Sequence, residues 1–168
     1  PISKGSLVYQ NPSLWWNALI KNLTYLKTKI ELNKIERLSI DGTSGTVLIT
    51  DHLGKPLDNA LMYNDASAVK ESKLVEGISD NHPIVSTSTN ALVRALSLIN
   101  KLKKEKYRIL HQADWIACKL INDYTYSDEN NALKLGYDCV ERSWPKWFDQ
   151  LPIEMNSLPK IKIPGQSI

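Results

Sequence analysis

The chain has 168 residues, 42% hydrophobic and 23% charged, with a net charge of +3 and a pI near 8.8. These values describe one globular domain with room for a substantial core. They exclude a disordered or fibrous chain, and so slight a basic surplus without a Lys/Arg stripe does not point to nucleic acid. No apolar run reaches membrane-spanning length and no secretory h-region is present. Cys118 and Cys139 show no CxxC spacing, which reads as a reducing compartment, the cytoplasm, with no disulfide framework. The chain begins at Pro1 rather than Met, which reads as processing or as a fragment.

Asn11 and Pro12 predict a helix start, cap followed by first-turn proline. Leu14, Trp15, Ala18, Leu19, Leu23, Leu26 and Ile30 continue it as an amphipathic helix to about Ile30. Trp15 and Trp16 must face different sides, one toward the core and one toward the surface. Ile35–Ile40 and Thr46–Thr50 read as strands, the second β-branched and buried. Between them lies a polar cluster, Asp41-Gly42-Thr43-Ser44-Gly45, where glycines permit close approach of a ligand to the backbone. Asp51–Lys55 has hairpin chemistry, with Gly54 free to take positive φ. Ala60–Tyr63 is a third strand, completing an antiparallel meander.

Helical patterns follow. Ala66–Ile78 is a short amphipathic helix broken at Asn81–Pro83. The hydroxyl run Ser86–Thr89 offers a cap for a helix with Ala91, Leu92, Ala95, Leu96 and Ile99 on its inner face. Lys101–Arg108 reads as a solvated basic helix end. Tyr107–Leu110 predicts a brief strand and Gln112–Ile121 a helix whose Asp114 is a first-turn acid. Asn130 and Asn131 read as turn formers. Trp144-Pro145 opens one more short helix, and Leu158–Gly165 is extended. His52, His82 and His111 lack metal-ligand spacing. The sum is a mixed α/β domain, a meander covered by helices.

Several of these segments recur in order in one family. Asp41–Thr46, Gly54–Leu57, Ala60–Asp65, Ser86–Ser88, His111–Trp115, Ser127-Asp128 with Asn130–Asp138, Leu158-Pro159 and Pro164-Gly165 together resemble the N-terminal domain of FGGY carbohydrate kinases. IDGTSGTV, QADW and NALKLGYD are most similar to the D-ribulose kinase branch of photosynthetic organisms, often labelled xylulose-kinase-like. The resemblance spans nearly the whole chain.

It implies a ribonuclease-H-like fold of the actin/hexokinase type, incomplete here, with a mixed sheet. It implies transfer of the γ-phosphoryl of Mg-ATP to a hydroxyl of a pentulose, D-ribulose first, with D-xylulose or another ketose or polyol as the alternative. A non-catalytic sugar-binding or regulatory domain of the same fold is the other reading. The family's phosphate loop and first strand would precede Pro1. Its nucleotide-binding C-terminal domain and general base would follow Ile168. ATP and Mg²⁺ would then be bound mainly outside residues 1–168, no carboxylate here would be catalytic, and the C-terminal domain would be the partner, with neither nucleic acid nor membrane. The cluster at Asp41 lacks the residue the phosphate loop carries between Asp and Gly, which places it on the sugar side. By this resemblance Ser44 contacts the sugar and Thr43 lies beside it. Asp41 orients the loop or faces the ligand. Asp65 either lines the cleft or caps the next helix.

Overall fold

The computed structural model describes residues 1–79, 85, 87–102, 106–163 and 165–166. The expected break at Asn81–Pro83, His82, Ser86, the middle of the basic run 101–108 and Pro164 lie outside the described residues. A hairpin opens the chain: β1 (Ile2–Lys4) and β2 (Leu7–Gln10), joined by the two-residue connection Gly5-Ser6. Helix α1 is Ser13–Leu26. Strands β3 (Val47–Thr50) and β4 (Ala60–Leu61) come next, then α2 (Val69–Ile78) and α3 (Ala91–Lys101). Strand β5 (Arg108–His111) runs directly into α4 (Gln112–Ile121), followed by β6 (Tyr126–Asp128), α5 (Glu129–Lys134) and β7 (Lys160–Lys162). Short 3₁₀ turns occupy Leu32–Lys34, Lys146–Gln150 and Met155–Ser157.

The main sheet has the order β1-β2-β4-β3-β5, and every neighbouring pair in it is antiparallel. The parallel pairing of a mixed sheet occurs instead in the separate pair β6–β7. β3 explains the three layers. Alternate residues of a strand point to opposite faces, and here both faces are covered. Val47 and Ile49 pack with Leu92, Ala95 and Leu96 of α3 and with Val75 of α2. Leu48 packs the other way, with Leu110, Trp15 of α1 and Trp115 of α4. A strand buried on both faces reads as a continuous apolar run, which is why VLIT is legible.

The second core is closed by two tryptophans in edge-to-face contact, centroids 6.1 Å apart. Each indole N–H is satisfied: Trp15 donates to Gln10 Oε1 at 2.7 Å and Trp115 to the Gly54 carbonyl at 2.8 Å. Trp16 remains half-buried under the Lys119 ammonium. The two adjacent tryptophans thus divide between core and surface as the sequence requires.

Three expectations are corrected. Ile35–Ile40 forms no strand: Ile35 and Leu38 are exposed and no described strand lies beside the segment. Strand propensity without a ladder partner leaves backbone donors and acceptors unpaired, so the segment stays irregular. The third strand of the meander is instead β2, which pairs with β4. Helix α1 ends at Leu26, before the expected Ile30, and of its apolar residues only Trp15 is buried. Pro12 stands at its N-cap, and the preceding Asn11 Oδ1 accepts the Ser13 N–H at 2.9 Å.

Gly54 holds the β3–β4 turn against the second core. Its φ is +76°, and a Cβ built there lies 2.0 Å from the Tyr124 ring. Gly54→Ala combines left-handed backbone strain with a steric clash, so it should lower stability by roughly 2–4 kcal/mol. A urea melt within about 0.5 kcal/mol of wild type would contradict this packing.

Candidate functional site

The residues singled out in the sequence lie at one end of the sheet, where β3 begins, β4 ends and β5 passes into α4. The Asp41–Thr46 loop reaches that end through a chain of hydrogen bonds. The Thr43 N–H donates to Gln112 Oε1 at 2.8 Å, and the Gln112 N–H donates to the Thr46 carbonyl at 3.1 Å. Thr46 N–H donates back to the Thr43 carbonyl at 3.2 Å, and Thr46 Oγ1 accepts the Tyr63 N–H at 3.1 Å. Gly42 presses on the start of α4, where an added Cβ would meet the Ala113 nitrogen at 3.1 Å. The loop is therefore seated on the α4 N-terminus from one side and on β4 from the other.

A cavity of about 330 Å³ opens beside it, lined by Ser44, Gly45, Tyr63, Thr87, Thr89, Asn90, Ala91, Arg94 and Lys134. Its lining offers hydroxyls, an amide and two cations, and none of the nine residues is acidic. Hydroxyls and amides both donate and accept, the chemistry that matches a polyol. Asn90, rather than the preceding hydroxyl run, caps α3: its Oδ1 accepts the Leu92 N–H at 2.7 Å. Thr87 and Thr89 line the cavity instead.

Ser44 is exposed at the cavity and Thr43 is half-buried behind it. The exposed Asp41 turns its carboxylate onto the backbone, where Oδ1 accepts the Gly42 N–H at 2.8 Å. Asp65 lies inside the protein. Its Oδ2 accepts the Val8 N–H at 2.7 Å and its Oδ1 accepts the Ser67 N–H at 3.2 Å and the Ser67 hydroxyl at 2.9 Å. A carboxylate thus continues the β2 pairing past the end of β4. The helix after it, α2, has Ala68 at its N-cap and no side-chain cap bond.

Two residues that sequence reasoning left aside are central to the geometry. Arg94 is 1% exposed, and its guanidinium donates to backbone carbonyls at the cavity wall. A cation inside the apolar run ALVRALSLI was its sequence signal. Burial pulls its pKa down to about 10 while the nearby Asp65 charge opposes this, so it stays charged at neutral pH. The other is Asp114, read as a plain first-turn acid. Its Oδ2 accepts the His111 N–H at 3.0 Å and the Ser127 hydroxyl at 2.8 Å, and its Oδ1 accepts from Asn131 Nδ2 at 2.8 Å. It ties the β5–α4 junction to β6 and to α5. Asn130 and Asn131, expected in a turn, lie within α5, whose N-cap Asp128 accepts the Asn131 N–H at 2.8 Å. Lys134 at the end of that helix reaches the cavity.

Among the described residues no group of three or more His, Cys, Asp or Glu could hold a metal ion. Among them too, no helix is long and apolar enough to cross a membrane. His111 sits at the N-cap of α4, its Nδ1 3.3 Å from Asp114 Oδ2. Cys118 is a buried residue of α4 and its thiol is pushed up to about 12, chiefly by desolvation.

Comparison with known proteins agrees with this geometry at the level of fold. No family model matches the chain. The xylulose kinase of Staphylococcus xylosus is 21% identical over 164 residues, which cover 90% of this chain and 33% of that protein. The structure of Plasmodium falciparum glycerol kinase with ADP superposes with a TM-score of 0.79 at 22% identity, covering 96% of this chain and 36% of that one. A ligand-bound xylulose kinase from Lactobacillus acidophilus gives a TM-score of 0.79 at 18% identity, covering 99% of this chain and 36% of that one. The fold is that of the FGGY carbohydrate kinases, ribonuclease-H-like and of the actin/hexokinase type, and the chain spans about a third of the length of these relatives.

Two outcomes follow from the buried groups. Asp114→Ala removes the acceptor of His111, Ser127 and Asn131 together, and should lower stability by roughly 2–4 kcal/mol in urea denaturation, since each stranded buried donor costs about 1–3 kcal/mol. A loss under about 0.5 kcal/mol would show that Asp114 is not a hub. For Cys118, the thiolate that reacts is scarce well below a pKa of about 12. Iodoacetamide at pH 8 should leave it unlabelled in the folded protein and label it after unfolding, read by peptide mass spectrometry.

Proposed function

We propose that residues 1–168 form the sugar-side part of an ATP-dependent pentulose kinase, with D-ribulose as its substrate. The observation that carries this reading is the cavity at Ser44, a polar recess with no carboxylate among its described lining residues, at one end of the sheet of a carbohydrate-kinase fold. Within it Ser44 binds the sugar directly, its hydroxyl donating to one sugar oxygen or accepting from another. Thr43, next to Ser44 in the chain and outside the described cavity lining, holds the loop to Gln112. Asp41 acts on the loop backbone through Gly42. Asp65 acts from behind, keeping β2, β4 and the Tyr63 carbonyl region in register.

The remaining parts lie in other segments of the same protein on this reading: a phosphate loop and first strand before residue 1, and a nucleotide-binding domain with the general base after residue 168. ATP supplies the transferred phosphoryl group. The work of the present chain is to hold the sugar and keep its reacting hydroxyl in one place, the larger share of catalysis in phosphoryl transfer being positioning and charge stabilisation. The support for the sugar side is the loop's seat on α4 beside the hydroxyl-bearing cavity.

The test uses the full-length protein. With ATP and Mg²⁺ it should phosphorylate D-ribulose with a higher kcat/KM than D-xylulose or glycerol. Sugar binding with no turnover of any of the three would instead identify a non-catalytic sugar-binding protein. Ser44→Ala should weaken D-ribulose binding by roughly 1–3 kcal/mol, the cost of leaving a buried polar partner unpaired. Unchanged affinity by titration calorimetry would remove Ser44 from the site.

A further inference from the structure

The back wall of the cavity holds a charge that, among the described residues, has no carboxylate in hydrogen-bond reach. Arg94 Nη1 donates to the carbonyls of Tyr63 at 2.9 Å, Asp65 at 3.2 Å and Thr89, and Nη2 donates to the Gly45 carbonyl at 2.6 Å. The Asp65 carboxylate is occupied elsewhere, by Val8 and Ser67. Among the described residues the guanidinium is solvated by backbone carbonyls.

The acceptors belong to segments far apart in sequence: the Asp41–Thr46 loop, the Tyr63–Asp65 exit of β4, and the Thr87–Asn90 approach to α3. Each of these also contributes a residue to the cavity lining, namely Ser44, Tyr63 and Thr89. Gly45 is the tightest point. Its φ is +79° and an added Cβ would stand 3.1 Å from Nη2, so the loop carbonyl reaches the guanidinium only because residue 45 has no side chain. A guanidinium can serve several carbonyls in its plane, whereas an ammonium presents donors from a single atom.

We propose that Arg94 is the positioning residue of the sugar pocket: by gripping these carbonyls it sets the mutual placement of Ser44, Tyr63 and Thr89. This rests on the reading of the cavity as a sugar site. It acts through the backbone and does not touch the sugar. Arg94 Nε has no partner among the described residues, so the grip is made by the two terminal nitrogens.

The test compares Arg94→Met, which keeps an unbranched stem and removes every donor, with Arg94→Lys, which keeps the charge and loses the fork. In the full-length protein Arg94→Met should raise the sugar KM by about tenfold or more and leave the ATP KM within about twofold, the signature of a lost placement of one substrate rather than of general damage. Amide hydrogen exchange should quicken by about tenfold at residues 43–46, 63–65 and 89–90 while β5 keeps its protection. Arg94→Lys should fall between the two on both measures, and it carries the test alone where Arg94→Met does not fold. Unchanged exchange and sugar KM in a folded variant, or exchange that quickens equally across the whole sheet, would overturn the proposal. A wild-type protein that phosphorylates no sugar would sink the functional reading, and the exchange pattern would still decide the role of Arg94.

Discussion

A buried cation solvated by backbone carbonyls is a demanding arrangement. Moving a guanidinium out of water costs several kcal/mol, and the cost is offset only where donors find well-placed acceptors. Arg94 meets that condition with carbonyls from the 41–46 loop, from the end of β4 and from the approach to α3. The constraint is reciprocal. If the charge is to stay buried, those segments must remain where they are, and the cavity they border keeps its shape. The Asp65 charge lies close enough to favour the cation while its oxygens serve other donors.

The rest of the architecture brings those segments together. β3 starts at the cavity and is buried on both faces, so its register is specified from two sides at once. α3 covers one face and supplies Arg94, while α1 and α4 cover the other. Asp114 then couples the start of α4, where Gln112 receives the Thr43 N–H, to α5, whose last residue reaches the cavity. Two buried polar residues on opposite faces of the sheet, Arg94 and Asp114, thus hold the same loop and cavity. In low dielectric such bonds are strong when complete and costly when broken.

Fold and function separate cleanly here. The agreement with carbohydrate kinases of known structure concerns the course of the backbone over about a third of those chains. What gives the reading chemical content is local: a recess of hydroxyls, an amide and two cations, with no acid among its described lining residues. On the proposed reading the hydroxyls and the amide take the polyol, and phosphate and metal fall to another part of the protein.

The features legible in the sequence were the local ones. Gln112–Ile121 forms the helix its pattern predicts, β3 follows its β-branched run, the turn at Gly54 follows its glycine, and the two tryptophans divide as adjacent helix residues must. Each of these depends on residues within a few positions of one another. Ile35–Ile40 has the composition of a strand, yet it pairs with nothing described, because a strand is stable only beside another and composition does not name the neighbour. The β1–β2 hairpin is hard to read for another reason: its strands are three and four residues long, too short for a pattern to show, and only the Gly5-Ser6 connection marks them. Arg94 and Asp114 stood in the sequence as an odd charge on an apolar helix and an ordinary helix-start acid. Their partners come from 29 to 49 residues away for Arg94 Nη1 to Asp65 and Nη2 to Gly45, and from 13 and 17 for Asp114 to Ser127 and Asn131. The sequence by itself determined which segments become helix, turn and buried strand, because those follow from neighbouring side chains. Which buried polar groups meet, and so where the cavity lies, was decided only by the tertiary structure, because hydrogen bonds between distant segments exist only once the chain has folded.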